Sequence, residues 1–185
     1  MLAIECAADL TVKDSTQTNA LQLACHRGLK EIIRILLLRE DIEVCGQNCY
    51  GRSALDYACS HEGMDADIVN AFLDREADPT EQGCAGLNAI HYASMAGNVA
   101  VLRVLLAYGG MSAALTYDNN GYNALHHALF NKRYTALFLL CQCSVQDGLY
   151  RFFSGRVLGV VPTMVCITAT MVLVAAALAA AGVSK

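Results

Sequence analysis

The sequence predicts an all-α fold: a solenoid of stacked helix pairs with short hairpin loops, followed by a C-terminal apolar helix. Three observations support this prediction. A seven-residue segment recurs four times at an almost constant spacing. Each copy is followed by a block of Leu, Ile, Val or Phe residues at helical spacing. The last part of the chain, residues 157–183, contains no charged residue.

The recurring segment begins with Asn or Ser, continues with Ala and has an apolar third residue. The third residues are separated by 34, 35 and 35 positions, and they are Leu21, Leu55, Ile90 and Leu125. A fixed period of this length is typical of proteins built from structural repeats, in which each unit buries its apolar face only against its neighbours. The spacing therefore predicts four repeats, at about residues 14–47, 48–82, 83–117 and 118–143.

Each repeat is predicted to contain two short helices. In the first helix, the apolar residue and an Ala three positions later lie on one face, as Leu21 and Ala24 do, and the small Ala permits close helix packing. The second helix carries a wider apolar stripe, as in residues 101–106. Gly28 and Gly97 stand between the two helices, where a left-handed helix end favours glycine.

These segments resemble the ankyrin repeat, whose motif is Thr-Pro-Leu-His-x-Ala and whose period is about 33 residues. Residues 53–58 and 88–93 match the motif with substitutions. The resemblance covers about residues 7–142 and implies an ankyrin-repeat solenoid. It also places family-type turn residues before each segment, which are Gly51, Gly86 and Gly121, and Asp14, Asn48 and Asp118.

The repeats depart from the family pattern at several positions. None has the motif proline, and Gln22 and Asp56 replace the motif histidine in the first two repeats. Lys132 stands where the fourth repeat should have its interhelix glycine. The third hairpin, between Tyr108 and Asp118, is about two residues longer than usual. These departures predict diverged repeats of modest stability.

Composition limits the kinds of partner and chemistry. The thirteen Lys and Arg residues are scattered and the net charge is −4, so no basic stripe for nucleic acid is present. The nine cysteines follow no secretory signal, and in a reducing compartment they serve as small apolar side chains. Cys45 and Cys49 lack the second nearby pair that zinc requires. We therefore expect no metal, no cofactor and no nucleic acid partner.

The sequence offers no catalytic constellation. His91 and His126 occupy the motif position, where the resemblance implies that histidine holds a turn by hydrogen bonds. Neither is accompanied by a Ser or Cys in a nucleophile context, so no catalytic triad can be argued. We expect that the chain is not an enzyme, unless it is a fragment of a larger one.

The resemblance implies another protein as the partner, met at the hairpin tips and at the exposed ends of the first helices. Aromatic, Met and Arg side chains are the types enriched at such interfaces. Carried over by register, the candidate protein-binding residues are Tyr50, Arg52, His26, Arg27, His61, Leu87, Met95, Asn119, Asn120, Tyr122 and Phe130.

The C-terminal part predicts a transmembrane helix at residues 157–183, because a bilayer-spanning helix needs about 20 largely apolar residues. Residues 144–156 form the predicted linker. Arg151 and Arg156 precede the span and Lys185 follows it, which by the positive-inside rule places the repeats in the cytosol. The predicted partners are thus another protein and, through residues 157–183, a lipid bilayer.

Other interpretations of the tail remain open. The chain resembles the N-terminal part of ankyrin-containing membrane proteins, among them a family of palmitoyltransferases, although their Asp-His-His-Cys motif is missing here. In that case the repeats would recognise the enzyme's substrate. Alternatively, the tail packs on the solenoid and the chain is a soluble ankyrin scaffold. Cys141 or Cys143, close to the predicted span, could be palmitoylated or could simply lie on the face of a capping helix.

Overall fold

A computed structural model describes residues 10–146 of the chain, with the side chains of residues 10–143. Over these residues the all-α prediction is confirmed, with eight helices and no strand. The helices are α1 (Ala20–His26), α2 (Lys30–Leu37), α3 (Ala54–Cys59), α4 (Ala66–Asp74), α5 (Ala89–Ala96), α6 (Val99–Ala114), α7 (Ala124–Phe130) and α8 (Tyr134–Gln146).

The helices form four consecutive pairs, one for each predicted repeat. We call α1, α3, α5 and α7 the inner helices and α2, α4, α6 and α8 the outer helices. Each inner helix packs on the outer helix of its own pair and on the inner helices before and after it. The outer helices pack on one another in the same order. This nearest-neighbour stacking is the architecture of a solenoid.

Every inner helix begins with a capping box, which explains the residue types found at the position of the motif histidine. In the first repeat, Asn19 Oδ1 accepts from Gln22 N, and Gln22 Oε1 accepts from Asn19 N. Asp56 and His91 occupy the place of Gln22 in the next repeats and complete the same reciprocal pair. Because two backbone donors that no helix can satisfy are bonded in this way, Gln, Asp and His are all accepted at this position.

The hairpin turns use the Asp and Gly residues that the resemblance predicted. Asp118 Oδ1 accepts from the backbone N–H groups of Asn120 and Tyr122, at 2.9 and 2.8 Å. Gly121 follows at φ 80°, in the left-handed region that favours glycine. Asn48 and Gly51 form the same arrangement in the second repeat.

The connections between paired helices differ among repeats. Gly28 and Gly97 adopt left-handed conformations with φ values of 67° and 78°, as predicted. Lys132 adopts φ 58° at the equivalent place in the fourth repeat. Gly63, which stands one place later in the second repeat, does not adopt a positive φ. The six residues 60–65 connect α3 to α4 there without a left-handed glycine.

The long third hairpin contains an additional helical turn. Gly110 interrupts α6 with φ 69° and ψ 173°, and helical structure resumes at Met111. Met111 is 3% exposed and Ala114 is fully buried, so this turn packs into the core. The extra residues therefore extend the apolar core, where the sequence had indicated only a longer loop.

The C-terminal predictions lie mostly outside the described residues. The predicted transmembrane segment 157–183 lies entirely outside them. Of the predicted linker 144–156, only residues 144–146 are described, and they continue α8. Within residues 10–146, no helix is both long enough and apolar enough to cross a bilayer.

Candidate protein-binding surface

One position of the inner helices carries a row of rings. It lies two residues after the apolar motif residue and is occupied by Leu23, Tyr57, Tyr92 and His127 in the four repeats. Tyr57 and Tyr92 are 8% and 5% exposed, and the His127 side chain is 13% exposed. We call Tyr57, Tyr92 and His127 the ring row. Its members are largely covered by neighbouring residues. More exposed side chains, such as Arg52 and Tyr122, pack against them.

The ring row links adjacent repeats. The rings of His26 and Tyr57 meet edge to face across the first interface, with centroids 5.1 Å apart. The rings of His91 and His127 meet in the same manner across the third interface, at 5.5 Å. Edge-to-face ring pairs stabilise a fold by more than the burial of their apolar area alone would provide. The inner-helix side of the stack is therefore held by a contact at each of these junctions.

Arg52 bridges the second interface. Its guanidinium carbon lies 5.3 Å from the ring centroid of Tyr57 and 4.6 Å from that of Tyr92, within the range of cation–π attraction. Its backbone is fixed as well, because Arg52 N donates to Asn48 Oδ1 at 3.1 Å and Arg52 O accepts from Gln22 Nε2 at 3.1 Å. The side chain is half-buried. Arg52 is thus a positioned cation at a hairpin tip.

The fourth repeat presents an aromatic patch, formed by Tyr122, His126 and Phe130. The rings of Tyr122 and Phe130 lie 5.1 Å apart and those of Tyr122 and His126 5.8 Å apart. Tyr122 is 40% exposed and Phe130 is 58% exposed. Beneath the patch, His127 Nε2 and Asp118 Oδ2 lie 3.0 Å apart, which ties the inner helix to the turn. Exposed rings of this kind are typical anchors of protein interfaces.

His91 has a structural role at neutral pH. It is fully buried, its Nε2 lies 3.1 Å from Thr116 O, and its Nδ1 lies 3.2 Å from Asn88 N. Burial lowers the pKa of His91 to about 4. The neutral ring can donate from Nε2 to the carbonyl and accept at Nδ1 from the N–H. The structure thus gives His91 the turn-holding role that the resemblance implies.

Asp56 is the acidic counterpart of His91 in the second repeat. Its side chain is 4% exposed, and Oδ2 accepts from Ser53 N and Ser53 Oγ, both at 2.9 Å. Burial raises the pKa of Asp56 to about 6, although the hydrogen bonds from Ser53 act in the opposite direction. The carboxylate therefore completes the capping box at the start of α3, where it accepts from the N-cap residue Ser53.

All eleven candidate binding residues lie outside the core. Seven are exposed and four are half-buried. The exposed ones are His26, Arg27, Tyr50, Asn119, Asn120, Tyr122 and Phe130; the half-buried ones are Arg52, His61, Leu87 and Met95.

Two of the candidates join neighbouring repeats through side-chain hydrogen bonds. Asn119 Nδ2 donates to Cys84 O at 2.8 Å, which joins the third and fourth hairpins. His61 Nε2 lies 3.1 Å from His26 O, which joins the first two repeats. A substitution at either residue will change stability as well as binding. Arg52 and His26 join repeats through their ring contacts, whereas Tyr122 and Phe130 contact each other within the fourth repeat and report on binding more directly.

Sequence reasoning missed the ring row. The predicted candidates lie at the hairpin tips and the helix ends, whereas Tyr57, Tyr92 and His127 lie in the first turns of the inner helices. The signal was present in the sequence, because three of the four repeats have a ring at the same motif position. A comparison of all four repeats position by position would have found it.

The cysteines near the end of the repeats differ in access. Cys141 is 3% exposed, and burial raises its pKa to about 11, so its reactive thiolate form is scarce at neutral pH. Cys143 is half-buried. Among the described residues, no three His, Cys, Asp or Glu side chains gather as metal ligands would.

Comparison with known proteins agrees with this geometry. A family model described as ankyrin repeats in three copies matches residues 1–83 and again residues 61–147. The chain belongs to the ankyrin repeat family. Ankyrin repeats are non-catalytic interaction modules, so the repeat region is a protein–protein interaction module.

A curated human protein, BCL-6 corepressor-like protein 1, is 28% identical over 112 residues. The aligned region covers 60% of this chain and 6% of that protein. The likeness therefore concerns the repeats and leaves nearly all of the relative's length unmatched.

Proposed function

We propose that the repeats bind a segment of a partner protein on the inner-helix face, which consists of the exposed side of the inner helices and the hairpin tips. The observation that carries this proposal is the concentration of rings and a positioned cation on that face. The ring row, Arg52 and the aromatic patch all lie there. Aromatic and Arg side chains are the most frequent hot-spot residues of protein interfaces.

The face is suited to recognition because its side chains are already ordered. Each ring of the ring row packs against another repeat or against its own turn, and Arg52 is held by its backbone and by two rings. Ordering a free side chain on binding costs about 0.5–1.5 kcal/mol. A surface whose anchors are fixed before the partner arrives avoids much of this cost.

We further propose that residues 157–183 tether the repeats to the cytosolic face of a membrane. The support comes from the sequence alone, namely the uncharged stretch and the basic residues before it. Tethering would raise the effective concentration of a partner in the same membrane. No observation favours the acyltransferase interpretation over this one.

Site-specific photo-crosslinking in cells tests the binding face. A photo-reactive amino acid is placed at Tyr122 on the inner-helix face or, as the matched control, at Leu38, which is 85% exposed at the end of an outer helix. We expect discrete crosslinked products from position 122 and none from position 38. Equal products from both positions, or products from position 38 alone, would contradict the proposed face.

Alkaline carbonate extraction tests the tether separately. The full chain is compared with a chain that ends at Ser154. If only the full chain stays in the membrane pellet, residues 157–183 are an integral span. If carbonate extracts both chains, the tether is wrong, while the proposal for the binding face stands unchanged.

A further inference from the structure

Arg52 differs from Arg34 and Arg133, two other ordered arginines of the stack, in having no acidic partner. Arg34 NH2 lies 2.9 Å from Asp65, and Arg133 NH2 lies 3.0 Å from Glu62. Within the described residues, Arg52 forms no ion pair with a carboxylate; its guanidinium carbon lies over the rings of Tyr57 and Tyr92. The guanidinium is fixed in place, yet its charge is not neutralised by a salt bridge.

This geometry leaves the guanidinium able to bind an anion. A guanidinium carries five N–H donors in one plane, and cation–π contacts with rings do not consume these donors. Carboxylates match this edge with two parallel hydrogen bonds. Since two rings and the backbone already hold Arg52, little further side-chain freedom would be lost on binding.

The charges around Arg52 favour an acidic ligand. Arg27, at the exposed end of the first inner helix, brings one further positive charge to this face. Two acidic groups lie near this position. Asp56 interacts electrostatically with Arg52, but its carboxylate is 4% exposed and accepts hydrogen bonds from Ser53. The exposed Glu81 acts in turn on Asp56, and it forms no ion pair with Arg52 in the described residues. Asp56 weakens the positive field without offering Arg52 a salt bridge.

Arg52 and the aromatic patch are in register along the stack. Arg52 follows Gly51 at the tip of the second hairpin, and Tyr122 follows Gly121 at the tip of the fourth. Neighbouring helix layers lie about 8–10 Å apart, so two repeats span about 20 Å. An extended peptide rises about 3.3 Å per residue and covers this span in about six residues.

We propose that Arg52 binds the carboxylate of an Asp or Glu side chain in a partner segment that lies extended along the inner-helix face. A large apolar side chain about six residues away in the same segment packs on Tyr122 and Phe130. This inference rests on the proposed function and assigns the partner its chemistry: an acidic group and an apolar anchor at a fixed separation.

A peptide selection followed by a double-mutant cycle tests this assignment. A displayed library of random peptides of about twelve residues is selected against the purified 185-residue chain in mild detergent. The tightest peptide is synthesised with its acidic residue intact or changed to Asn or Gln. Both forms are titrated against the native chain, against Arg52→Gln and against Arg103→Gln. Arg103 is an exposed arginine on an outer helix and serves as the matched control for loss of charge.

We expect the acidic peptide to bind the native chain and Arg103→Gln equally. Neutralising the peptide, or introducing Arg52→Gln, should weaken binding about tenfold or more, the usual effect of losing a charge-assisted hydrogen-bonded pair. The two changes together should cost little more than either alone. Arg52→Lys retains the charge without the planar edge, and it should recover only part of the affinity. Circular dichroism confirms that each variant is folded.

Other outcomes separate this inference from the proposed function. Selected peptides that lose affinity with Tyr122→Ala but not with Arg52→Gln overturn the carboxylate site and leave the binding face intact. If the selected peptides contain no acidic residue, the carboxylate site is likewise overturned and the binding face is left intact. Peptides that are insensitive to both substitutions overturn the binding face as well.

Discussion

The first repeat and the three that follow use the same helix pair but bury it differently. At one position of the outer helix, Ile32 is 46% exposed, whereas Ile68, Val101 and Ala136 are at most 1% exposed. The burial at this position therefore comes from the preceding repeat, and within the described residues no helix precedes α1. The comparison shows that an identical motif position contributes different stability according to its neighbour, as expected for a solenoid.

Hydrogen bonds between repeats show the same difference. Asn98 Nδ2 donates to Met64 O at 2.7 Å, in the connection of the preceding repeat, and Arg133 Nε donates to Met95 O at 3.3 Å, in the last turn of the preceding inner helix. Leu29 occupies this position in the first repeat and is 45% exposed. An apolar side chain there can make no such bond. Among the described residues, the first repeat thus has neither the apolar nor the polar contacts that a preceding repeat supplies to the others.

The largest expected effect comes from truncating equivalent isoleucines in the two regions. Ile68→Ala removes methyl groups from a fully packed site and should lower the free energy of unfolding by about 2–5 kcal/mol. Ile32→Ala removes the same atoms from a half-exposed site and should cost less than about 1 kcal/mol. Urea unfolding followed by circular dichroism measures both values.

The two isoleucine variants serve as controls for each other, because the chemical change is the same. Similar losses would show that the first repeat is as well packed as the second and would remove the basis of the comparison. A change in the urea dependence, in addition to the midpoint, would indicate that the repeats no longer unfold together.

A second comparison concerns the motif position, where His91 and Asp56 respond oppositely to pH. The pKa of His91 falls from an ordinary 6.5 to about 4 on folding because the ring is buried. Between these values the unfolded chain binds a proton that the folded chain does not, so stability is lost as the pH falls from 6.5 towards 4. His91→Gln should reduce this loss, by at most about 3 kcal/mol.

Gln22 makes His91→Gln a conservative change, since it shows that glutamine completes the capping box and donates to the following hairpin, at 2.7 Å to Gly46 O. The measurement is the free energy of unfolding of both proteins from pH 7 to pH 4. Parallel curves for the native chain and the variant would show that His91 is not the group that titrates.

The burial of Asp56 predicts the reverse dependence. Its pKa rises from an ordinary 3.8 to about 6 on folding, so the folded chain holds a proton in this range that the unfolded chain has released. Stability is therefore lost as the pH rises from 3.8 to 6. Asp56→Asn stays neutral and can still accept from Ser53, and it should abolish this loss, which is at most about 3 kcal/mol. The same pH series measures it; a native chain whose stability does not fall relative to the variant over this range contradicts the prediction.

The parts of the fold that could be predicted from the sequence depend on local chemistry. Turn aspartates and left-handed glycines each need a particular residue type, so Asp118 and Gly97 could be assigned from the sequence alone. The additional turn after Gly110 could not, because its burial depends on how the hairpin folds back onto the core. The position of Arg52 between rings of two repeats is likewise a tertiary contact between residues 40 positions apart in the chain.

The smallest expected effect compares the helix connections of the third and fourth repeats. Lys132 adopts φ 58° where Gly97 adopts φ 78°, and the left-handed region costs a residue with a Cβ about 1 kcal/mol relative to glycine. Lys132→Gly should therefore raise the free energy of unfolding by up to about 1 kcal/mol. Lys132→Ala removes the same charge without relieving the backbone and should leave the stability nearly unchanged. Thermal unfolding measures the stability of both variants. If both are stabilised equally, the lysine charge and not the backbone conformation lowers the stability of the native chain. The fourth connection would then be no more strained than the third.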